Sequence, residues 1–198
     1  VKEKQKKWKT AAKKELYFIQ KEQALDQLTE FLTCQGMGYV PVILPKDMEE
    51  DKKTAQIQKF CAETKVPEEA CMAVMTSGTS GENKLLFRTF ESWYDYFPIQ
   101  NEIFHITPES RLFMQGSLAF TGNMNLYMAQ LSAGATILSE DRFDPRLWIK
   151  DIEQWQADGI YLIPAKLHAL YQALKHEDHD PVEKIQTILS GSQSLGKK

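Results

Sequence analysis

Cysteine is scarce in this 198-residue sequence, and the three present, Cys34, Cys61 and Cys71, form no C-x-x-C spacing and have no nearby pair of histidines. That excludes a disulfide framework and a zinc site as readings, and a reducing cytoplasm is the expected compartment. No apolar run approaches the length of a membrane span, and the first residues lack the apolar middle of a signal peptide. A cytoplasmic protein with no membrane span is therefore expected. An excess of positive charge is missing too. The formal net charge of -3 gives no overall field that would gather nucleic acid, so no nucleic-acid partner is expected. Lys2, Lys4, Lys6, Lys7, Lys9, Lys13 and Lys14 crowd the start of the chain, where they read as a solvated face or a frayed terminus. Internal repeats and low-complexity tracts are absent.

What remains is a sequence with 42% hydrophobic residues, enough for a substantial core. From Glu15 onward, short β-rich runs alternate with longer segments of helical periodicity, the pattern of crossover connections between parallel strands. An α/β fold with mostly parallel sheets flanked by helices is expected. Strands are predicted at 16–19, 39–44, 72–75, 85–88, 112–114, 135–138, 159–163 and 185–189. The 21–34 segment places Ala24, Leu25, Leu28, Phe31 and Leu32 on one helical face, and Gly36 and Gly38 end it. Asp144 followed by Pro145 is a helix start: aspartate caps free N–H groups, and proline needs none at the first helical position. Leu147, Ile149, Ile152 and Trp155 supply much of the apolar content of that helix. Residues 48–54 read as a surface turn before another helix. No linker is evident, so the chain reads as one continuous fold.

The most informative junction is the apolar run Cys71-Met-Ala-Val-Met75, which opens into Thr76-Ser-Gly-Thr-Ser-Gly-Glu-Asn-Lys84. A phosphate chain needs donors at close range without bulk. Gly78 and Gly81 let the backbone approach and turn successive N–H groups inward as an anion nest. The hydroxyls of Thr76, Ser77, Thr79 and Ser80 can donate to phosphate oxygens, and Lys84 adds positive charge. Ser, Thr and Gly also dominate ordinary turns, so the loop alone does not decide. A Walker A loop is a poor match, because Glu82 and Asn83 separate Gly81 from Lys84. No G-x-S-x-G elbow surrounds any of these serines.

Other chemistry-bearing side chains have plainer readings. His176-Glu-Asp-His-Asp180 is dense in metal-binding types but lies between a helix and Pro181, as a solvated loop would, and no metal site is assigned. His105 and His168 fall in segments of helical pattern and read as structural. Trp8, Trp93, Trp148 and Trp155 read as packing residues, and the group Trp93, Tyr94, Tyr96 and Phe97 as a helix face. No catalytic residue is identified.

The strand followed by T-S-G-T-S-G-x-x-K resembles the signature loop of the adenylate-forming, AMP-binding superfamily: acyl-CoA and aryl-CoA synthetases, peptide-synthetase adenylation domains and luciferases. The likeness continues in order through Ser117-Leu-Ala-Phe-Thr-Gly122, Gly134-Ala-Thr-Ile-Leu138, Phe143-Asp-Pro145, Ile160-Tyr-Leu-Ile-Pro164 and Ile188-Leu-Ser-Gly191. In that family ATP, usually with Mg2+, and a carboxylic acid give an acyl adenylate and pyrophosphate. The acyl group then passes to a thiol, that of CoA or of a carrier protein.

The resemblance implies that Thr76, Ser77, Gly78, Thr79, Ser80, Gly81 and Lys84 hold the phosphates. It also implies that Phe120, Thr121 and Gly122 border the carboxylate pocket, and that Gly191, Ser192 and Gln193 lie near adenine and the acyl group. The sequence then divides into a first α/β portion, 15–70, and a portion carrying the phosphate loop and acyl pocket, 71–198. Together these make a partial N-terminal AMP-binding domain.

Several departures from the family accompany the likeness. Asn83 and Leu85 stand where the family commonly has proline and glycine, so the far side of the loop is expected to be less constrained. Ala119 replaces a frequent histidine, and Ser192 the second glycine of a frequent pair. Thr121 stands where amino-acid-activating relatives usually carry aspartate, which disfavours an amino-acid substrate. The family's Y-G-x-T-E segment and the lysine of its mobile C-terminal domain do not occur in these residues. The expectation is therefore a fragment of an acyl-CoA ligase-like enzyme that does not complete adenylation alone. The rival readings are adenylation of an amino or acyl acid for a carrier protein, and a truncated non-catalytic nucleotide-binding scaffold.

Overall fold

The structure, a computed structural model, describes residues 14–77, 83–177 and 180–191. The chain divides into two compact units. One contains Val1–Asp95 and Ser117–Thr121; the other contains Tyr96–Gly116 and Gly122–Lys198.

The first unit is built on a four-stranded sheet of order β1-β2-β3-β4, with β1 Leu16–Ile19, β2 Val40–Ile43, β3 Ala70–Ser77 and β4 Asn83–Thr89. β1, β2 and β3 pair in parallel, whereas β3 and β4 run antiparallel. The crossover pattern expected from the sequence thus stops at β3. The short connection beyond Ser77 suits a hairpin, because a parallel return needs a longer crossover.

Alternation along the strands sets the two faces. Leu16 and Phe18 of β1, Val40 and Val42 of β2, and Ala73 and Met75 of β3 join one core cluster, together with Leu85 and Phe87. Ala70 also belongs to it although it is three positions from Ala73, and a register shift between Ala70 and Met72 restores the parity.

Helix α1, Ala24–Gly36, and helix α2, Glu50–Glu63, cover this sheet. α2 contributes Ile57 to the cluster and stacks Phe60 on Phe18, with ring centroids 6.2 Å apart. α1 buries Leu28, Phe31 and Cys34, and Phe31 meets Trp93 of the short helix α3, Phe90–Tyr94, edge to face at 5.9 Å. Leu25, assigned to the buried face by periodicity, is 51% exposed, because the covered stripe of α1 runs through Ala24, Gln27, Leu28 and Phe31. The surface turn expected at 48–54 is shorter, since helical structure begins at Glu50.

The second unit holds an all-parallel sheet of order β6-β5-β7-β8, with β5 Arg111–Gln115, β6 Thr136–Glu140, β7 Gly159–Tyr161 and β8 Thr187–Leu189. Its helices are α4 Tyr96–Ile103, α5 Thr121–Ala133, α6 Pro145–Gln154 and α7 Pro164–Leu174. Phe113 of β5 and Ile160 of β7 face a core filled by Trp148, Ile149, Ile152 and Leu170 from α6 and α7. The α6 start follows the sequence expectation: the Asp144 side chain accepts hydrogen bonds from the backbone N–H of Arg146 and of Leu147. Trp148 is wholly buried, and its indole N–H donates to the Arg142 carbonyl at 2.9 Å. Trp155, expected to add to the apolar content of this helix and to pack, is 50% exposed because the helix has already ended at Gln154.

His105 also departs from expectation, since α4 stops at Ile103. His105 takes the left-handed conformation (φ 55°), and the N–H of Ile106 closes onto the Asn101 carbonyl at 2.8 Å, a helix-terminating turn. His168 lies within α7, as expected. Among the described residues, no helix is long and apolar enough to cross a membrane.

Candidate functional site

Two constellations carry the residues singled out by the sequence, one in each unit. In the first, β3 and β4 bracket the Ser/Thr/Gly loop. Thr76 stands opposite Lys84, and Ser77 opposite Asn83. Directly opposed residues of an antiparallel pair project from the same face, so Thr76 and Lys84 share one side of the hairpin. Met75 and Leu85 point the other way, into the core. Lys84 is exposed, which leaves its ammonium available to a solvent-borne anion. Gly78, Thr79, Ser80 and Gly81 lie outside the described residues. Asn83 is better anchored than its departure from proline implied. It is paired in the strand, and its side-chain amide donates to Gln56 Oε1 of α2 at 3.1 Å.

The same unit holds Ser117–Thr121, and a buried amide that sequence reading passed over fixes this segment. Gln27 of α1 is fully buried. Its Oε1 accepts from Ser117 Oγ at 3.1 Å and from the Leu118 N–H at 2.8 Å, while its Nε2 donates to the Lys21 carbonyl at 2.7 Å. Ser117 Oγ in turn accepts from the Ala119 N–H at 3.1 Å. Phe120, at the end of this clamped turn, is 71% exposed, so a large ring is presented rather than packed. A glutamine among apolar positions of an amphipathic helix was the available signal, because a buried amide demands partners.

In the second unit the strand order places a topological switch point between β5 and β7, since the chain leaves them toward opposite edges of the sheet. Open parallel sheets bind ligands in the crevice beyond the carboxyl ends of such strands. Gln115 ends β5 here, with Gly116 directly after it, and Tyr161 ends β7. Gly116 has φ 122°, a conformation that favours glycine, and a Cβ there would lie 3.0 Å from Lys166 Nζ and 3.2 Å from Asn123 Nδ2. Lys166 Nζ donates to the Gln115 carbonyl at 3.3 Å.

The Tyr161 hydroxyl lies against both remaining glycines of interest. A Cβ on Gly122 would meet it at 2.6 Å, and one on Gly191 at 3.5 Å. The structure therefore brings Gly122 and Gly191 to one phenol, whereas Ser192 and Gln193 lie outside the described residues. Tyr161, Lys166, Asn123 and Gly116 were missed as site residues. Lys166 left a trace in the sequence: a cation in the first turn of a helix opposes the usual charge preference there.

Elsewhere the chemistry is quieter. An open apolar cavity of about 520 Å³ runs beside α7, lined by Ile160, Leu167, His168, Tyr171, Leu174 and Ile188 among others; none of the described residues expected in the phosphate loop or the carboxylate pocket lines it. Burial, reinforced by Glu30, pushes the Cys34 thiol up to about 12, and burial pushes Cys71 to about 11, so both stay protonated and are poor nucleophiles. Among the described residues, no group of three or more His, Cys, Asp or Glu could hold a metal ion.

The mixed sheet that carries the Ser/Thr/Gly segment on a hairpin, and the parallel sheet with a switch point between β5 and β7, are those of an α/β protein. The chain belongs to the AMP-binding enzyme family, whose model matches residues 10–198. This meets the adenylate-forming resemblance drawn from the sequence. The fold is also shared with solved structures. The nonribosomal peptide synthetase FmoA3 superposes with TM-score 0.80 at 13% identity, covering 96% of this chain and 24% of FmoA3. ATP-bound MatB from Rhodopseudomonas palustris gives 0.75 at 14%, covering 92% and 45%. The O-succinylbenzoate coenzyme A synthetase MenE from Bacillus subtilis, in complex with AMP, gives 0.73 at 15%, covering 94% and 56%. The chain thus spans between a quarter and just over half of these proteins. No curated protein sequence matches it.

Proposed function

We propose that the protein contributes to ATP-dependent activation of a carboxylic acid, in the manner of an acyl-CoA ligase. The observation that carries this reading is the AMP-binding family match over residues 10–198, which takes in the Thr76 to Lys84 loop and the hairpin that presents it. The residues present fit a triphosphate: a hydroxyl and an ammonium on one face of the hairpin, flanking a loop rich in small donors. Thr76, Ser77, Gly78, Thr79, Ser80, Gly81 and Lys84 would hold the phosphates as negative charge builds on the departing pyrophosphate.

A carboxylate oxygen attacks the α-phosphorus, the bond to the β-phosphate oxygen breaks, and acyl adenylate and pyrophosphate result. A thiolate then attacks the acyl carbonyl, forming the thioester and expelling AMP. Phe120, Thr121 and Gly122 would border the acid, and Gly191, Ser192 and Gln193 would lie toward the adenylate. Mg2+ would accompany ATP, and CoA is the proposed acceptor, with a carrier-protein thiol as the alternative. On this reading the chain is part of an N-terminal AMP-binding domain, and it acts in the cytoplasm.

The test is ATP–pyrophosphate exchange by the full-length natural product against a panel of carboxylic acids and amino acids. Acid-dependent exchange is expected, and Lys84→Ala is expected to lower it about a hundredfold while leaving the thermal unfolding midpoint in place. Exchange with no acid would sink the reading; exchange with amino acids alone would replace the substrate class.

A further inference from the structure

A ligand crevice is expected beyond the carboxyl ends of β5 and β7, and the last residue of β7 is a large one, Tyr161. Tyr161 is buried, and its neighbour Ile160 faces the α6 and α7 core, so alternation along the strand sends the phenol to the opposite face, toward the start of α5. There its oxygen occupies the space that a side chain on Gly122 would need, and it lies beside Gly191. A Cβ on Gly122 would be 2.6 Å from that oxygen but 3.8 Å from the ring carbon bearing it, and a Cβ on Gly191 would be 3.5 Å from the oxygen. A separation of 2.6 Å is a clash, whereas 3.8 Å is ordinary contact. The room left by Gly122 is therefore taken up by the phenol and does not enlarge the crevice, while a Cβ on Gly191 would sit in ordinary contact with it.

We propose that Tyr161 is a specificity-determining residue that closes the acyl pocket against Gly122 and Gly191 and restricts the enzyme to compact carboxylic acids. This rests on the adenylation reading above. A long unbranched chain entering past Gly122 meets the phenol, and a side chain wedged between two backbone segments has little room to move aside. Gly122 thus gives the tyrosine its room. As an exposed residue in the first turn of α5, it would otherwise favour alanine, which forms helix more readily.

The test uses the full-length natural product and ATP–pyrophosphate exchange with acetate, butanoate, octanoate, decanoate and benzoate. Wild type is expected to favour butanoate over decanoate. Tyr161→Ala is expected to shift the ratio of their kcat/KM values at least about tenfold toward decanoate, since a filled apolar pocket discriminates by roughly that factor per added group. A folded Tyr161→Ala protein with an unchanged chain-length profile would overturn the proposal.

A second measurement reads the contact itself. Gly122→Ala is expected to lower kcat/KM for butanoate, and adding Tyr161→Phe, which removes the clashing oxygen, is expected to return it to the level of Tyr161→Phe alone. Independent effects of the two substitutions would overturn the proposed fit while leaving the adenylation reading intact. Absence of exchange with every acid would overturn the adenylation reading and the proposal with it.

Discussion

The two units present their candidate ligand-binding groups by different means. In the first, Thr76 and Lys84 are separated by a short loop and are brought opposite one another by a hairpin, so most of the arrangement is local. In the second, Gly116, Gly122, Tyr161, Lys166 and Gly191 come from the ends of three parallel strands and the starts of two helices. They become neighbours only because crossovers return successive strands in the same direction, which gathers every carboxyl end at one edge. A local device tolerates changes elsewhere as long as the strand pairing holds. A gathered one depends on the core that sets the strand positions.

That contrast can be broken by experiment, most severely at the core of the second unit. Trp148→Ala removes the largest side chain buried between α6 and the sheet, together with its indole hydrogen bond to Arg142, and should cost about 3–5 kcal/mol in denaturant unfolding. Trp155→Ala, at a half-exposed position, should stay within about 0.5 kcal/mol. Equal effects would contradict the placement of this core.

A smaller loss is expected at Gln27, which ties the first unit to a segment some ninety residues along the chain. Gln27→Leu leaves the Leu118 N–H and the Lys21 carbonyl without these partners, at about 1–3 kcal/mol for each group that stays buried and unpaired. Faster hydrogen exchange at the Leu118 amide should accompany the loss. Unchanged exchange there would mean that the clamp does not hold the segment. Smaller again is the loss at Asp144→Ala, which removes a helix cap and should cost about 1 kcal/mol, seen as a lower urea midpoint with an unaltered slope.

Much of the fold was legible in the residues. All eight expected strands occur, β1 with the predicted bounds, because runs of β-branched and apolar residues between turn formers carry a strong local signal. The cap at Asp144 was equally local. Where sequence reading went astray, the deciding atoms were elsewhere. Periodicity assigns Leu25 to a face but cannot say how wide a stripe the sheet covers. His105 has a helical neighbourhood, yet the chain terminates the helix there through a left-handed turn. Asn83 read as a loosened proline position, but the strand pairing and Gln56 restrain it.

The sequence by itself determined the alternation of strands and helices, the phosphate-loop candidates and membership in the AMP-binding family, since each is written in contiguous residues or in their order along the chain. Only the tertiary structure decided that Gln27 clamps Ser117–Thr121, that Lys166 fills the notch at Gly116, and that Gly122 and Gly191 converge on Tyr161. The physical reason is distance along the chain. Local propensity and pattern extend over a turn or a strand, whereas these contacts join segments whose proximity is set by strand order, pleat and core packing.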